Sequence, residues 1–405
     1  MKSLTQSACL ILAGIMFGWW LHDSTDTQIR MQTTGSSPDK QVIAPPLAIL
    51  PGSPTVNDSG TPPIPTPYTP PNVDRFRELL NQQAFDWALV YYEQALLFDG
   101  DYQLLLKPAL ETYLQACLQH CGDGVFVDLV NLWLGTYYQD IPVLLLLAEN
   151  QRLYGLPEEA ANTLQLAATY ALQTGQQEDV SNAVHGLVKS TDEALSQQQS
   201  WIELLGFYEF LETIDLGTPA FRLRQALLYQ TVGEMQRSQE LLLALREHDN
   251  RLDSEWTATL DTHLAHNEPG SGTDDPPVYT ISVKRHGEHF LVASSLNGGV
   301  PLNLIIDTGA SLTTLSRASF TRMSGADFQC QGSRLFNTAN GLTQGEVYRA
   351  ASISMGDTSV DNLNIAVLDY NPSAGVDGLL GMNVLRNYRF EIDQDRELLY
   401  LRPRQ

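Results

Sequence analysis

Cysteine is scarce in this chain of 405 residues, where Cys9, Cys117, Cys121 and Cys330 are the complete set. Four thiols cannot build a disulfide scaffold, and their spacing lacks the paired ligands that a zinc site needs. Cys117 and Cys121 stand four apart in a helical pattern with His120 between them. Two small core residues are expected there in preference to a disulfide or a metal pair. Positive charge is scarce as well, with 24 Lys and Arg against 47 Asp and Glu for a net charge of -23. Nucleic acid is thereby excluded as a partner, because phosphate contacts require clustered cations. The deficit is uneven: Val278 to Gln405 hold 11 Lys and Arg against 12 Asp and Glu, so nearly all the acidity lies upstream. Solubility is its first explanation and a basic partner its second. Absent too are a Gly-x-Ser-x-Gly elbow and a phosphate-binding glycine loop. His286-Gly287-Glu288-His289 lacks the helical His-Glu-x-x-His order of a metal site and reads as a hairpin turn. Neither a metal nor a cofactor is expected.

Long apolar runs are few. Ala8 to Leu21 is uncharged, and with Leu4 to Ser7 it reaches eighteen residues, near the short end of the roughly 17 to 25 that cross a bilayer. It closes on Gly18-Trp19-Trp20-Leu21, which suits an interfacial aromatic anchor better than a cleavage site. Residues 1–23 are therefore expected to form a transmembrane signal anchor. Lys2 before the run and Asp23 and Asp26 after it predict a single-pass protein of the inner (cell) membrane, with its bulk in the periplasm or otherwise outside the cytoplasm.

Residues 24–72 follow as a stalk rich in Pro, Ser, Thr and Gly, ending on Pro62, Pro63, Pro65, Pro67, Pro70 and Pro71. Such a composition buries no core. From 73 to 265 apolar residues recur at three and four spacing, as in Phe76 to Leu97 and Phe221 to Leu245, which predicts long helices. Gln83 and Ala88, Gly155 and Ala160, and Gly233 and Ser238 share one five-residue offset. This resembles tetratricopeptide-type (TPR-like) helix pairs, in which a Gly closes the first helix and a small residue lets the second pack closely. The resemblance implies an all-α repeat domain that binds a protein partner or substrate. Residues 266–277, with Pro269, Gly270, Gly272, Pro276 and Pro277, read as a linker.

Beyond the linker, residues 278–405 change to a strand pattern, with short β-rich runs at Val278–Val283, Phe290–Leu296 and Pro301–Ile306. The third run leads into Asp307-Thr308-Gly309-Ala310-Ser311. A carboxylate at the end of a buried apolar strand, in a tight turn, is presented to a substrate without its neighbours solvating it. Two such carboxylates held close together cannot both ionise, so they share a proton, one activating water and the other protonating a carbonyl oxygen. Asp58-Ser59-Gly60 repeats the triplet pattern but lies in the stalk with no apolar strand before it, and is discarded. Downstream come Asn337-Thr338-Ala339-Asn340-Gly341, whose Asn-Gly reads as a hairpin tip, and then Gly378-Leu379-Leu380-Gly381-Met382-Asn383.

Active-site turn, flap hairpin and apolar-apolar-Gly, in that order, closely resemble the retropepsin-like aspartic peptidases. The resemblance covers the C-terminal part of the chain and implies an all-β acid protease domain. By that resemblance Asp307 is catalytic, Thr308 braces the pair of turns across a dimer and Gly309 makes the turn, with Ala310 and Ser311 completing it. Thr338, Ala339, Asn340 and Gly341 form the flap and bind substrate, while Leu379, Leu380 and Gly381 thread behind the site. Met382 departs from the retroviral pattern, which has an Arg used in packing and dimer contacts. One Asp-Thr-Gly turn per chain implies a homodimer acting on a protein or peptide as an aspartic endopeptidase. The rival expectation is an inactive tethered scaffold that works through its helical repeats.

Overall fold

A computed structural model describes residues 70–98, 101–120, 123–248, 260, 278–323, 327–338 and 341–404. The anchor at 1–23, the stalk as far as residue 69, the linker at 266–277 and Cys121 lie outside the described residues. Among the described residues no helix is long and apolar enough to cross a membrane. The expected transmembrane helix, and the single-pass inner-membrane localisation built on it, are corrected on that finding.

Among the described residues upstream of the sheet the regular elements are helices. In chain order they are α1 (Val73–Asn81), α2 (Phe85–Gln94), α3 (Tyr102–His120), α4 (Asp123–Thr136), α5 (Ile141–Leu153), α6 (Pro157–Tyr170), α7 (Thr174–Gln197), α8 (Trp201–Thr213), α9 (Pro219–Thr231) and α10 (Met235–His248). The long helix expected over Phe76–Leu97 is broken, because Gln83 turns left-handed at φ 56°. Gly155 and Gly233 do the same at φ 70° and 75°, the conformation in which a chain leaves a helix and reverses. Three hairpins result, α1–α2, α5–α6 and α9–α10, whose second helices bury Ala88, Ala160 and Ser238 against the first. Helix length runs from 9 residues in α1 to 24 in α7. The hairpins differ in length, and a TPR-like repeat is not confirmed by them. Trp133, Phe76, Phe126 and Phe207 fill their common core, which also contains Cys117. Asp140 caps α5 and binds both Lys107 Nζ and the Trp133 indole N–H at 2.7 Å.

The C-terminal region is a ten-stranded sheet with β1 (Tyr279–His286), β2 (His289–Leu296), β3 (Pro301–Ile306), β4 (Thr313–Ser316), β5 (Gln329–Thr338), β6 (Gly341–Met355), β7 (Thr358–Leu368), β8 (Gly378–Leu380), β9 (Tyr388–Asp393) and β10 (Leu398–Pro403). Two short helices, α11 (Arg317–Arg322) and α12 (Met382–Leu385), interrupt it. The strand order is β5-β6-β7-β4-β8-β3-β2-β1-β10-β9, and a further β6–β2 pairing folds the sheet over on itself. It wraps a core of Val292, Leu304, Leu315, Ile353, Ile365 and Leu399. The expected turn at His286 to His289 is the β1–β2 hairpin, with Gly287 at φ 61°. Strand β5 reaches out of this core: Leu335, 1% exposed, belongs to the helical core, and Leu342 packs against it.

Candidate active site

Strand β3 alternates exposed Pro301 and Asn303 with buried Leu302 and Leu304 and then delivers Asp307 at its end. Beside it, β8 is threaded between two strands, parallel to β3 and antiparallel to β4. Leu379 and Leu380 stand opposite Ile305 and Ile306, and the Asp307 N–H donates to the Leu380 carbonyl at 3.1 Å. The threaded strand also holds the far side of the turn. Met382 N–H donates to the Ala310 carbonyl at 2.7 Å and Asn383 N–H to the Ser311 carbonyl at 3.0 Å. Backbone contact this close requires glycine: a Cβ on Gly378 would overlap the Thr314 carbonyl, and one on Gly381 the Leu312 carbonyl.

Asp307 is half-buried, and the Thr308 and Gly309 that follow are exposed. Gly309 N–H donates to Asp307 Oδ1 at 2.9 Å. A Cβ on Gly309 would lie 3.3 Å from that oxygen, so glycine keeps the carboxylate uncrowded and is not there for a left-handed backbone. Of the hairpin, Thr338 stands opposite Gly341, which has φ 98°. Ala339 and Asn340, the tip itself, lie outside the described residues.

Other residues at the site carry no motif signal. Asn383 Oδ1 accepts from the Thr313 N–H at 2.8 Å and from its hydroxyl at 3.0 Å, while Asn383 Nδ2 donates to the Asn364 carbonyl at 2.7 Å. One amide thus ties α12 to β4 and β7. With each bond worth roughly 1 kcal/mol net, Asn383→Ala is expected to destabilise the domain by about 2–4 kcal/mol, measured as the shift in its denaturant midpoint. Asp377 is buried and accepts from Asn303 N–H at 2.8 Å and from Ser319 Oγ at 2.9 Å, with Arg322 as its ion-pair partner. Tyr370 has a buried hydroxyl with no hydrogen-bond partner among the described residues, and burial together with the charges of Asp377 and Asp307 pushes its pKa up.

Residues 292–384 match the aspartyl protease family. The C-terminal region carries an aspartyl protease domain. Its enzyme class is accordingly an aspartic-type hydrolase. Among solved structures the chain is similar to a retropepsin-like aspartic protease from Rickettsia conorii. Identity is 25% over 31% of this chain and 91% of that one, with a TM-score of 0.24. No curated protein matches the chain.

The helical region enters the protease site through the first turn of α6. Glu159 accepts from Ser311 Oγ in the active-site turn, and the Asn337 amide of β5 acts on the same carboxylate. Its neighbour Glu158 pairs with Arg386, just after α12. Burial pushes the Glu159 carboxyl from its ordinary 4.5 up to about 7; Ser311 and Asn337 oppose the rise, and Glu158 adds to it. A carboxyl whose pKa is raised in the docked state favours docking in its protonated form. Its contribution is complete below the ordinary carboxyl range and is lost as pH climbs through about 7. The change is on the order of 3 kcal/mol. The thermal midpoint of the full chain is expected to fall between about pH 5 and about pH 8. Glu159→Gln, neutral at every pH and still able to accept from Ser311, is expected to flatten that slope.

Proposed function

We propose that the chain is an aspartic endopeptidase working as a homodimer, in which Asp307 of two copies forms the catalytic pair. The single observation that carries this reading is the Asp307 turn itself: a half-buried carboxylate beside an exposed Thr308 and Gly309, once per protease domain. One carboxylate cannot serve as acid and base together, and an exposed Thr308 offers a hydroxyl to a facing turn. A peptide would lie extended between the turn and the β5–β6 hairpin, pairing its backbone with strand edges. The Asp307 carboxylate of one copy takes a proton from water as the water oxygen bonds the scissile carbonyl carbon. The protonated Asp307 of the other copy gives its proton to the carbonyl oxygen. Collapse of the resulting diol breaks the C–N bond: the proton taken from water passes to the leaving amine, and a hydroxyl proton of the diol returns to the second Asp307 as the C=O bond re-forms. Thr308, Gly309, Ala310 and Ser311 shape the turn, Thr338 to Gly341 close over the substrate, and Leu379, Leu380 and Gly381 hold the turn from behind.

If two copies make one site, the active fraction follows the monomer–dimer equilibrium. Specific activity on a quenched fluorescent peptide should rise with enzyme concentration and saturate, and a single-chain tandem should flatten the dependence by raising effective concentration. An active species sedimenting as a monomer across the whole range would remove the dimer from the reading.

A further inference from the structure

Acidic residues in the first turn of a helix usually sit in water, where they favour the N-terminal end of the helix dipole. Glu158 and Glu159 at the start of α6 are instead 8% and 6% exposed. Removing two carboxylates from water costs several kcal/mol each unless they are partnered, so the side chains that face them define what this turn fits. Those side chains belong to the protease domain. Arg386 pairs with Glu158, Ser311 donates to Glu159, and the Asn337 backbone amide lies near the same carboxylate, whose Oε2 has no hydrogen-bond partner among the described residues. Ser311 is four residues past Asp307 on the turn, and Asn337 is next to the flap residue Thr338 on β5. One carboxylate therefore reaches across from the active-site turn to the strand that leads into the flap.

Further contacts fasten the same strand. Gln151 Nε2 on α5 donates to the Leu335 carbonyl at 2.8 Å, while its own oxygen accepts from Thr163 Oγ1 at 2.7 Å. Arg334 lies over the Tyr154 ring at 3.4 Å, and Gln344 Nε2 on β6 reaches Asp128 at 3.3 Å. Both strands of the hairpin are thus gripped by helices α4 to α6. A hairpin held in this way cannot lift to admit a chain. A backbone amide beside the flap tip and a hydroxyl on the catalytic turn are also donors that a peptide carbonyl would use. Glu159 takes the hydroxyl and lies beside the amide.

We propose that the helical domain is the protease domain's own latch: docked, its Glu158–Glu159 turn fills one end of the groove between the Asp307 turn and the β5–β6 hairpin, and cleavage of a polypeptide requires it to swing away. The partner of the helical face is then the protease domain of the same chain. This inference rests on the turn and hairpin forming the peptide groove.

The test uses the full chain at a concentration where activity has saturated, with wild type, Glu158→Ala and Glu158→Ala combined with Asp307→Asn. Folding of each is checked by near-ultraviolet circular dichroism. Loosening the latch should raise kcat/KM on a quenched peptide by about tenfold, the equivalent of roughly 1.4 kcal/mol, and the gain should vanish with Asp307→Asn. Equal or lower activity in a folded Glu158→Ala chain, beside an active and Asp307-dependent wild type, overturns the latch and leaves the peptidase reading intact. No cleavage by either chain counts against the peptidase reading and takes the latch with it. Should Glu158→Ala not fold, hydrogen exchange on unaltered protein decides. Binding of a statine-type peptide inhibitor should speed exchange over 157–170, and unchanged or slower exchange there overturns the latch as well.

Discussion

Asp307→Asn is expected to lower kcat/KM by a factor of about 10⁴ or more, as removal of a central catalytic group does elsewhere, while the thermal midpoint hardly moves. The two side chains have nearly the same shape. An Asn oxygen still accepts the Gly309 N–H that Asp307 Oδ1 takes at 2.9 Å, and the backbone bond from residue 307 to the Leu380 carbonyl is untouched. What disappears is the carboxylate, and in the proposed dimer it disappears from both copies at once. Neither remaining amide can remove a proton from water or hold one for the carbonyl oxygen. The measurement is a paired one, peptide cleavage and differential scanning calorimetry on the same preparation. Cleavage persisting above about one part in a hundred of the wild-type rate, far more than loss of a catalytic carboxylate leaves, would show that Asp307 is not the residue that does the chemistry.

The turn and strands of the candidate site are legible in the sequence because their requirements are local. The apolar alternation of β3, the turn at Asp307 to Ser311 and the glycines at 378 and 381 each answer to backbone sterics that a short stretch of sequence must satisfy. The threading of β8 between β3 and β4 explains why Gly378 and Gly381 carry no Cβ, although only the contact distances reveal it. The helical region was legible as helix, but its breaks were less so. At Gly155 and Gly233 a glycine marks the reversal, whereas Gln83 adopts the same left-handed turn with no such signal. Least legible was the contact between the regions. Pro157-Glu158-Glu159 reads in sequence as an ordinary helix start, proline first and acids after. Nothing within the chain's local pattern announces that both carboxylates are buried against residues more than 150 positions away. The acidity of the upstream region has solubility as its first explanation and a basic partner as its second; in the fold Glu158, Glu209 and Glu234 face Arg386, Arg389 and Arg404 of the protease domain.

Arg386 yields the second large effect. Its guanidinium is buried, donates through Nε to the Met382 carbonyl at 2.9 Å and through Nη1 to Glu158. The stem crosses α8 at Gly206, where a Cβ would come within 2.9 Å of the Arg386 Cδ. One side chain therefore pins α12, directly behind the active-site loop, to two helices of the other region. Glu158→Ala removes the only carboxylate in an ion pair with it among the described residues and leaves a buried cation with the Met382 carbonyl and the more distant charge of Glu203. Breaking a buried pair from one side costs about 3–5 kcal/mol, whereas replacing both partners with apolar groups of similar volume is often neutral. Glu158→Ala is thus expected to lower stability by that amount, read as the denaturant midpoint of amide protection in α6 and α12. The double change Glu158→Leu with Arg386→Met should recover most of the loss. Single and double variants that lose the same amount would mean that the pair's charges are not what holds the two regions together, and packing at Leu335 would then carry the interface.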